Sequence, residues 1–316
     1  MRETLVVALG GNSITRPGEL GTIPEQFAHT AETLRRLRPL LCSDCGIVIT
    51  HGNGPQIGNI LIRSEEGERR VPPLPFDTCV SDSQGGMGYM IQRLACELFH
   101  QESVRRGVVT VITMVEVDSN DPDFAHPSKP IGEFYDQARA ERVQAANPHW
   151  LVQEILPGKF RRVVPSPRPV KIVEEDAIAR LVDAGTVVIA CGGGGIPVEW
   201  KDGSLVGVEG VIDKDFSSSL LASGIGADRL VIVTSVERAA LHYGQPGETW
   251  LDSITTAEAR ALLGSGEFAA GSMWPKIDAG VAFVESGGRE CIITSAERVA
   301  QALEGRAGTR IVRENP

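Results

Sequence analysis

The chain has 316 residues, 42% hydrophobic and 23% charged, with 35 glycines, which suffices for a core without disulfides or a structural metal and excludes a disordered or fibrous protein. Its 31 basic and 41 acidic residues leave a net charge of -10, so a nucleic-acid partner is not expected, although local amides and lysines can still form a pocket for a small anion. No run approaches the roughly 18 apolar residues of a membrane span, and the N-terminus enters a strand-like segment rather than a signal sequence, so a cytoplasmic protein with no membrane partner is expected.

The apolar run Thr4–Leu9 predicts a strand ending in Gly10-Gly11-Asn12, and helical spacing over residues 26–41 predicts a helix before Gly46. A second β-branched run, 46–50, breaks at His51-Gly52-Asn53-Gly54-Pro55, and a helix begins near Gln56. Residues 83–106 read as one long helix stopped by Gly107, ahead of a strand over 108–117. The stretch 118–169 is rich in proline and poor in apolar runs, as an inserted excursion or small subdomain would be. Beyond it come a helix over 174–184, a strand over 186–190, the run Gly192-Gly193-Gly194-Gly195, and a hairpin over 200–208 turning at Asp202-Gly203. A helix from Phe216, a strand over 229–234, helices from Thr255 and Pro275, a strand over 290–294, a helix from Ala296 and a strand over 309–312 complete the chain. Apolar strands alternating with helices predict an α/β fold, an open and mainly parallel sheet covered on both faces, with ligands at the strands' carboxyl ends.

Four glycine turns share a chemical character there: Gly10-Gly11-Asn12, Gly52-Asn53-Gly54, Gly192 to Gly195, and Gly271-Ser272-Met273. Each exposes backbone and is expected to precede a helix, an arrangement suited to phosphate; each alone is equally an ordinary turn. Neither a P-loop nor a Gly-x-Gly-x-x-Gly dinucleotide motif is present. Bound phosphate would therefore need lysines from elsewhere, with Lys129, Lys214 and Lys276 as candidates. Lys214 lies between Asp213 and Asp215, which can hold it charged and directed, or can form a solvated pair at a helix start. Lys276 can point over the same edge or be an ordinary surface lysine.

His51 has no accompanying nucleophile arrangement and reads as a structural histidine at a strand end. The other histidines lack metal spacing, so no protein-bound metal is assigned; Mg²⁺ would arrive with a nucleotide. Six cysteines are scattered along the chain, as reduced thiols are. Only Cys42 and Cys45 have redox or zinc spacing, and no second pair follows them.

The strings VVALGGNSI (6–14), VITHGNGPQIGN (48–59), SQGGMGYM (83–90), KPIGEFY (129–135), RRVVPSPRP (161–169), VIACGGGGIPV (188–198), GVIDKD (210–215) and FAAGSMWPK (268–276) resemble the carbamate kinases of the amino-acid kinase superfamily. The resemblance implies a homodimeric three-layer αβα fold, one amino-acid kinase domain over 1–316 with a protruding subdomain over 118–169. It also implies phosphoryl transfer between carbamoyl phosphate and ADP, giving ATP and carbamate, in a catabolic setting such as arginine or purine breakdown. By resemblance, Gly10, Gly11, Asn12, Gly52, Asn53 and Gly54 hold the phosphoryl group and carbamate. Lys214 and Lys276 neutralise the phosphates, Asp215 orients them, and Lys129 reaches in from the subdomain. Gly193, Gly194, Asp213, Thr234, Ser235, Ser272 and Met273 fall on the nucleotide side, and Mg²⁺ accompanies the nucleotide.

Three positions depart from the family pattern. Ser235-Val236-Glu237 stands where an acidic Asp-Val-Asp form is common, Trp274 replaces a glycine beside Lys276, and Asp82 places a carboxylate in a usually apolar segment expected near the second substrate. These departures keep two rivals in view: a kinase for another small carboxylate or carbamate analogue, and a catalytically silent nucleotide-binding regulator.

Overall fold

A computed structural model describes residues 2–16, 18–269 and 271–314, with the backbone but not the side chain of Asn12. Its spine is an eight-stranded sheet. From one edge to the other the strands are Ser253–Thr255, Thr309–Val312, Glu290–Ser295, Arg229–Thr234, Thr4–Leu9, Gly46–His51, Val187–Ile189 and Val108–Thr110. Every neighbouring pair is parallel except Glu290–Ser295 with Thr309–Val312. Side-chain alternation divides the core into two layers. Val6, Ala8, Val48, Leu230 and Ile232 face helices Glu175–Asp183, Lys214–Gly224 and Met273–Glu285. Leu5, Val7, Leu9, Ile47, Ile49 and Val231 face Ile23–Arg36 and Phe76–Gln101. With both faces apolar and covered, the strands lack the polar alternation of a one-sided sheet, as expected.

Among the described residues three smaller sheets accompany this spine, one of them the two-stranded pair Ala240–Leu241 and Thr249–Trp250. Ser204–Gly207, Ile196–Lys201, Met114–Val117 and Pro169–Ile172 form a four-stranded sheet. Within 118–169, Lys129–Tyr135, Lys159–Val164 and Leu151–Leu156 form an antiparallel sheet that contacts the helix Gln137–Ala146. The predicted hairpin turn is present, with Asp202 at φ 49° and Gly203 at φ 79° between paired strands.

Several expected boundaries change. The strand over 108–117 is two strands, because the buried Gln84 amide accepts the Thr113 N–H at 2.8 Å and donates at 3.1 Å to the Thr113 carbonyl, which also accepts the Ile196 N–H at 2.9 Å. That diverts the chain from the main sheet into the four-stranded one. The long helix spans Phe76–Gln101 rather than 83–106; its end is set by Ser103 at φ 58°, with the Val104 N–H returning to the Phe99 carbonyl, and Gly107 is not the stop. The first helix begins at Ile23, where Thr22 and Glu25 form a capping box. The helix expected from Phe216 starts at Lys214, capped by Asp213, and that expected from Pro275 starts at Met273. Residues 192–194 form a buried 3₁₀ turn leading into strand Ile196–Lys201, not into a helix.

Candidate active site

The turns after strands Thr4–Leu9 and Gly46–His51 lie side by side at the sheet's carboxyl edge. A Cβ built on Gly52 would sit 3.8 Å from the Gly11 backbone nitrogen and 3.5 Å from Lys214 Cδ. The glycines there have different causes. A Cβ on Gly10 would lie 2.8 Å from the Val233 carbonyl oxygen, so the fold requires that glycine. Gly11 and Gly54 would meet nothing within 4 Å and have no positive φ. Packing does not demand glycine at those two positions, and the open space suits an approaching ligand. Gly54 opens the helix Gly54–Gly67, whose cap residue Asn53 makes no side-chain cap bond; the Asn53 amide instead donates to Ser83 Oγ at 2.8 Å.

Gly193 and Gly194 are buried behind this edge. A Cβ on Gly193 would lie 2.2 Å from Asn53 Nδ2, and one on Gly194 2.0 Å from the Ile212 carbonyl oxygen, with φ of 67° and 96°. The glycine run lets three segments pack closely, and no open space faces these two residues. Beneath it His51 is fully buried, its proton affinity lowered to about 4 by burial, then further by the Lys214 charge and against a hydrogen bond with the Gly52 carbonyl. It agrees with the structural reading of that histidine.

Asp213 caps the helix Lys214–Gly224 through a bond from the Asp215 N–H at 3.0 Å, and its other oxygen receives Lys129 Nζ at 3.1 Å. Asp215 is 2% exposed. One of its oxygens binds Lys214 Nζ and the other accepts from Lys276 Nζ at 2.8 Å. Burial by itself would raise the Asp215 pKa, but the two ammoniums outweigh it and hold the value at about 2. The result is a fixed carboxylate aiming two mostly buried lysines, with a third lysine tied in from the 118–169 segment.

Cavities open on two sides of the cluster. One of about 250 Å³ is lined by Thr234, Ser235, Ser272, Met273 and Lys276, together with Tyr243 and Phe268. The other, about 640 Å³, is a cleft lined by Asn53, Gly54, Lys129 and Arg161 among others. Lys129, Lys214, Asp215, Lys276, Gly11, Gly52 and Asn53 are thus brought to one edge, with Thr234, Ser235, Ser272 and Met273 on the side of Lys276. Sequence reasoning missed Tyr243, Phe268 and Arg161; Phe268 and Arg161 lie inside quoted motifs, whereas Tyr243 has no local signal.

The departures from the family pattern resolve unequally. Trp274 is half-buried against the core, with Arg168 near its ring and stacked 3.7 Å over Phe216, and it does not line the Lys276 cavity. Asp82 lines a separate cavity with Gln26, Gln56 and Arg63, apart from the lysine cluster. Glu237 pairs with Arg298 at 3.3 Å.

A mainly parallel α/β sheet carrying two glycine turns and an aimed lysine pair at its carboxyl edge is an architecture for holding phosphates. The model of the amino acid kinase family matches residues 3–295. Within that family the chain belongs to the carbamate kinases. It is 42% identical to the carbamate kinase of Pyrococcus horikoshii, covering 98% of this chain and 99% of that one, and 45% identical to the carbamate kinase-like protein YahI of Escherichia coli, covering 99% and 100%. The solved structure of Giardia lamblia carbamate kinase bound to AMP-PNP superposes with a TM-score of 0.94 at 37% identity, over 99% of both chains.

Proposed function

We propose that the chain moves a phosphoryl group between carbamoyl phosphate and ADP, with Lys214, Asp215, Lys276 and Lys129 as the catalytic set. The observation that carries this reading is the buried Asp215 gripping both lysines beside the open Gly11 turn and the Gly52 turn packed against Lys214. In the ATP-forming direction an oxygen of the ADP β-phosphate attacks the phosphorus, the bond from phosphorus to the carbamoyl oxygen breaks, and carbamate leaves as an anion. No proton need move, so no general base is required. The work is alignment and positive charge against the equatorial oxygens. Lys214 and Lys276 supply that charge, Asp215 fixes their direction, and Gly11 and Gly54 offer backbone N–H to phosphoryl oxygen, whereas the N–H groups of Gly10 and Gly52 are bonded to the Val233 and Leu9 carbonyls and shape the turns. Asn12 is assigned here by resemblance; its side chain lies outside the described residues.

The nucleotide goes to the cavity bounded by Thr234, Ser235, Ser272 and Met273 beside Lys276; that a nucleotide is bound at all is supported by the AMP-PNP complex of the Giardia relative. Mg²⁺ enters as part of the nucleotide substrate. Among the described residues no trio of ligating side chains gathers, and Asp213 and Asp215 are both committed to lysines. Asp213 positions Lys129, while Gly193 and Gly194 support Asn53 and Ile212 from behind. One kinase domain over 1–316 with a subdomain over 118–169, a homodimer, a cytoplasmic location and a catabolic role complete the proposal. No helix among the described residues is long and apolar enough to cross a membrane.

The test is ATP formation by purified protein from ADP, Mg²⁺ and carbamoyl phosphate in a luciferase-coupled assay. ATP production well above the uncatalysed background supports the reading. Its absence, with phosphorylation of another small carboxylate from ATP, would transfer the site to a different substrate; absence of both would indicate a nucleotide-binding regulator.

A further inference from the structure

The 640 Å³ cleft is lined by five charged side chains, and four have a titratable partner of the opposite type within the protein. Arg16 pairs with Glu32 at 2.6 Å, Glu19 with His29 at 2.6 Å, Glu133 with Arg139, and Lys129 with Asp213 at 3.1 Å. The exception is Arg161. Among the described residues no carboxylate lies within 4.0 Å of its guanidinium, and its buried Nε has no hydrogen-bond partner. One Nη donates to the Gly132 carbonyl at 2.6 Å, and the group lies 5.1 Å from the Phe134 ring. Alternation along strand Lys159–Val164 separates it from Arg162, which is spent on Glu209 and stacked 3.7 Å over Trp150. A half-buried cation without a counter-charge is unfavourable in the free protein, and burial accordingly lowers its proton affinity.

We propose that Arg161 binds the small oxyanion of the second substrate, either the carboxylate of carbamate or the phosphate of carbamoyl phosphate. The planar fork of a guanidinium matches either oxyanion with two parallel hydrogen bonds, which a lysine cannot do. Arg161 and Lys129 belong to the two paired strands Lys159–Val164 and Lys129–Tyr135. The anion would therefore be met by two cations from this small sheet, and by the open Gly54 turn in the same cleft. This inference rests on the phosphoryl-transfer reading above.

The test compares Arg161→Gln and Arg161→Lys with the parent in ATP formation, and titrates inorganic phosphate calorimetrically without nucleotide. A lost charged hydrogen bond predicts a KM for carbamoyl phosphate raised ~10- to 100-fold in Arg161→Gln, less in Arg161→Lys, with the KM for ADP unchanged. The melting temperature of the ligand-free Arg161→Gln protein should be no lower, because an unpaired charge has been removed. Weakened phosphate binding assigns the phosphate. Normal phosphate binding with a raised KM for carbamate in the reverse direction assigns the carboxylate. Unchanged KM values with unchanged phosphate binding overturn the inference. So does a lower kcat and melting temperature at constant KM, since Arg161 would then only brace Gly132. If the parent forms no ATP, the functional reading fails, and the phosphate titration alone decides the role of Arg161.

Discussion

Replacing Asp215 by Asn keeps the shape of the side chain and removes the charge between two ammoniums. Asp215 is 2% exposed, Lys276 Nζ is 2.8 Å away, and Lys214 Nζ contacts the other oxygen. Its pKa of about 2, against 3.8 ordinarily, corresponds to roughly 2–3 kcal/mol favouring the ionised form. Removing one partner of a buried ion pair costs about 3–5 kcal/mol, since the remaining charges lose their compensation. The melting temperature should fall by on the order of 10 °C. Turnover should fall about 10²-fold, as for the loss of a preorganised electrostatic donor, because both lysines lose their aim. The pH dependence has a definite sign. A lowered folded-state pKa adds stability that is fully present above the unfolded value of 3.8 and is lost as the pH drops through that value towards 2. The Asp215→Asn variant should lack that part of the acid loss. Calorimetric melts at neutral pH and pH 3, alongside kcat at saturating ADP and carbamoyl phosphate, measure all three effects. An Asp215→Asn enzyme with parental kcat and melting temperature would refute the idea that this carboxylate organises the site.

Lys214→Met and Lys276→Met should each lower kcat by ~10²–10³ with little change in nucleotide affinity; adding Asp215→Asn to Lys214→Met should cost little more, whereas multiplying losses in steady-state kinetics would break the proposed unit. Gly11→Val should stay folded, because a Cβ there meets nothing within 4 Å, yet lose turnover; an active, normally melting variant removes Gly11 from the site. Gly10→Ala should instead lose stability, since its Cβ would lie 2.8 Å from the Val233 oxygen, and a normal melt would contradict that. Trp274→Gly should lower stability by about 2–3 kcal/mol, as truncating a half-buried aromatic does, with kinetic constants preserved per folded molecule; altered nucleotide affinity would return Trp274 to the site. His51, with a folded pKa of about 4 against 6.5, should make stability rise by roughly 3 kcal/mol between pH 4 and 6.5, a slope that His51→Gln should abolish in denaturant melts across that range.

The main sheet was legible because its strands are buried on both faces and so appear as unbroken apolar runs, such as Leu5 to Leu9 and Ile47 to Ile49. Boundaries set by distant partners were not. Nothing near Thr113 signals that Gln84, 29 residues earlier, will divert the strand, and the stop at Ser103 depends on a left-handed residue that is not glycine. The site divides in the same way. The Asp213-Lys214-Asp215 string places a cap, a cation and its carboxylate within three residues, and its geometry follows directly from the helix that starts there. The convergence of Lys276 on Asp215 spans 61 residues and rested on motif resemblance. The glycine turns looked equivalent as sequence; only three-dimensional packing separates Gly11, facing open space, from Gly193 and Gly194, whose missing side chains are replaced by Asn53 and Ile212.

The most direct measurement is a ³¹P NMR time course of the protein with carbamoyl phosphate, ADP and Mg²⁺, repeated with the Lys214→Met variant. The account predicts that the carbamoyl phosphate resonance is replaced one for one by the γ-phosphate of ATP as ADP is consumed, and that the variant loses this transfer while remaining folded. Phosphorus appearing only as inorganic phosphate with ADP untouched, or unimpaired transfer by the variant, would contradict it.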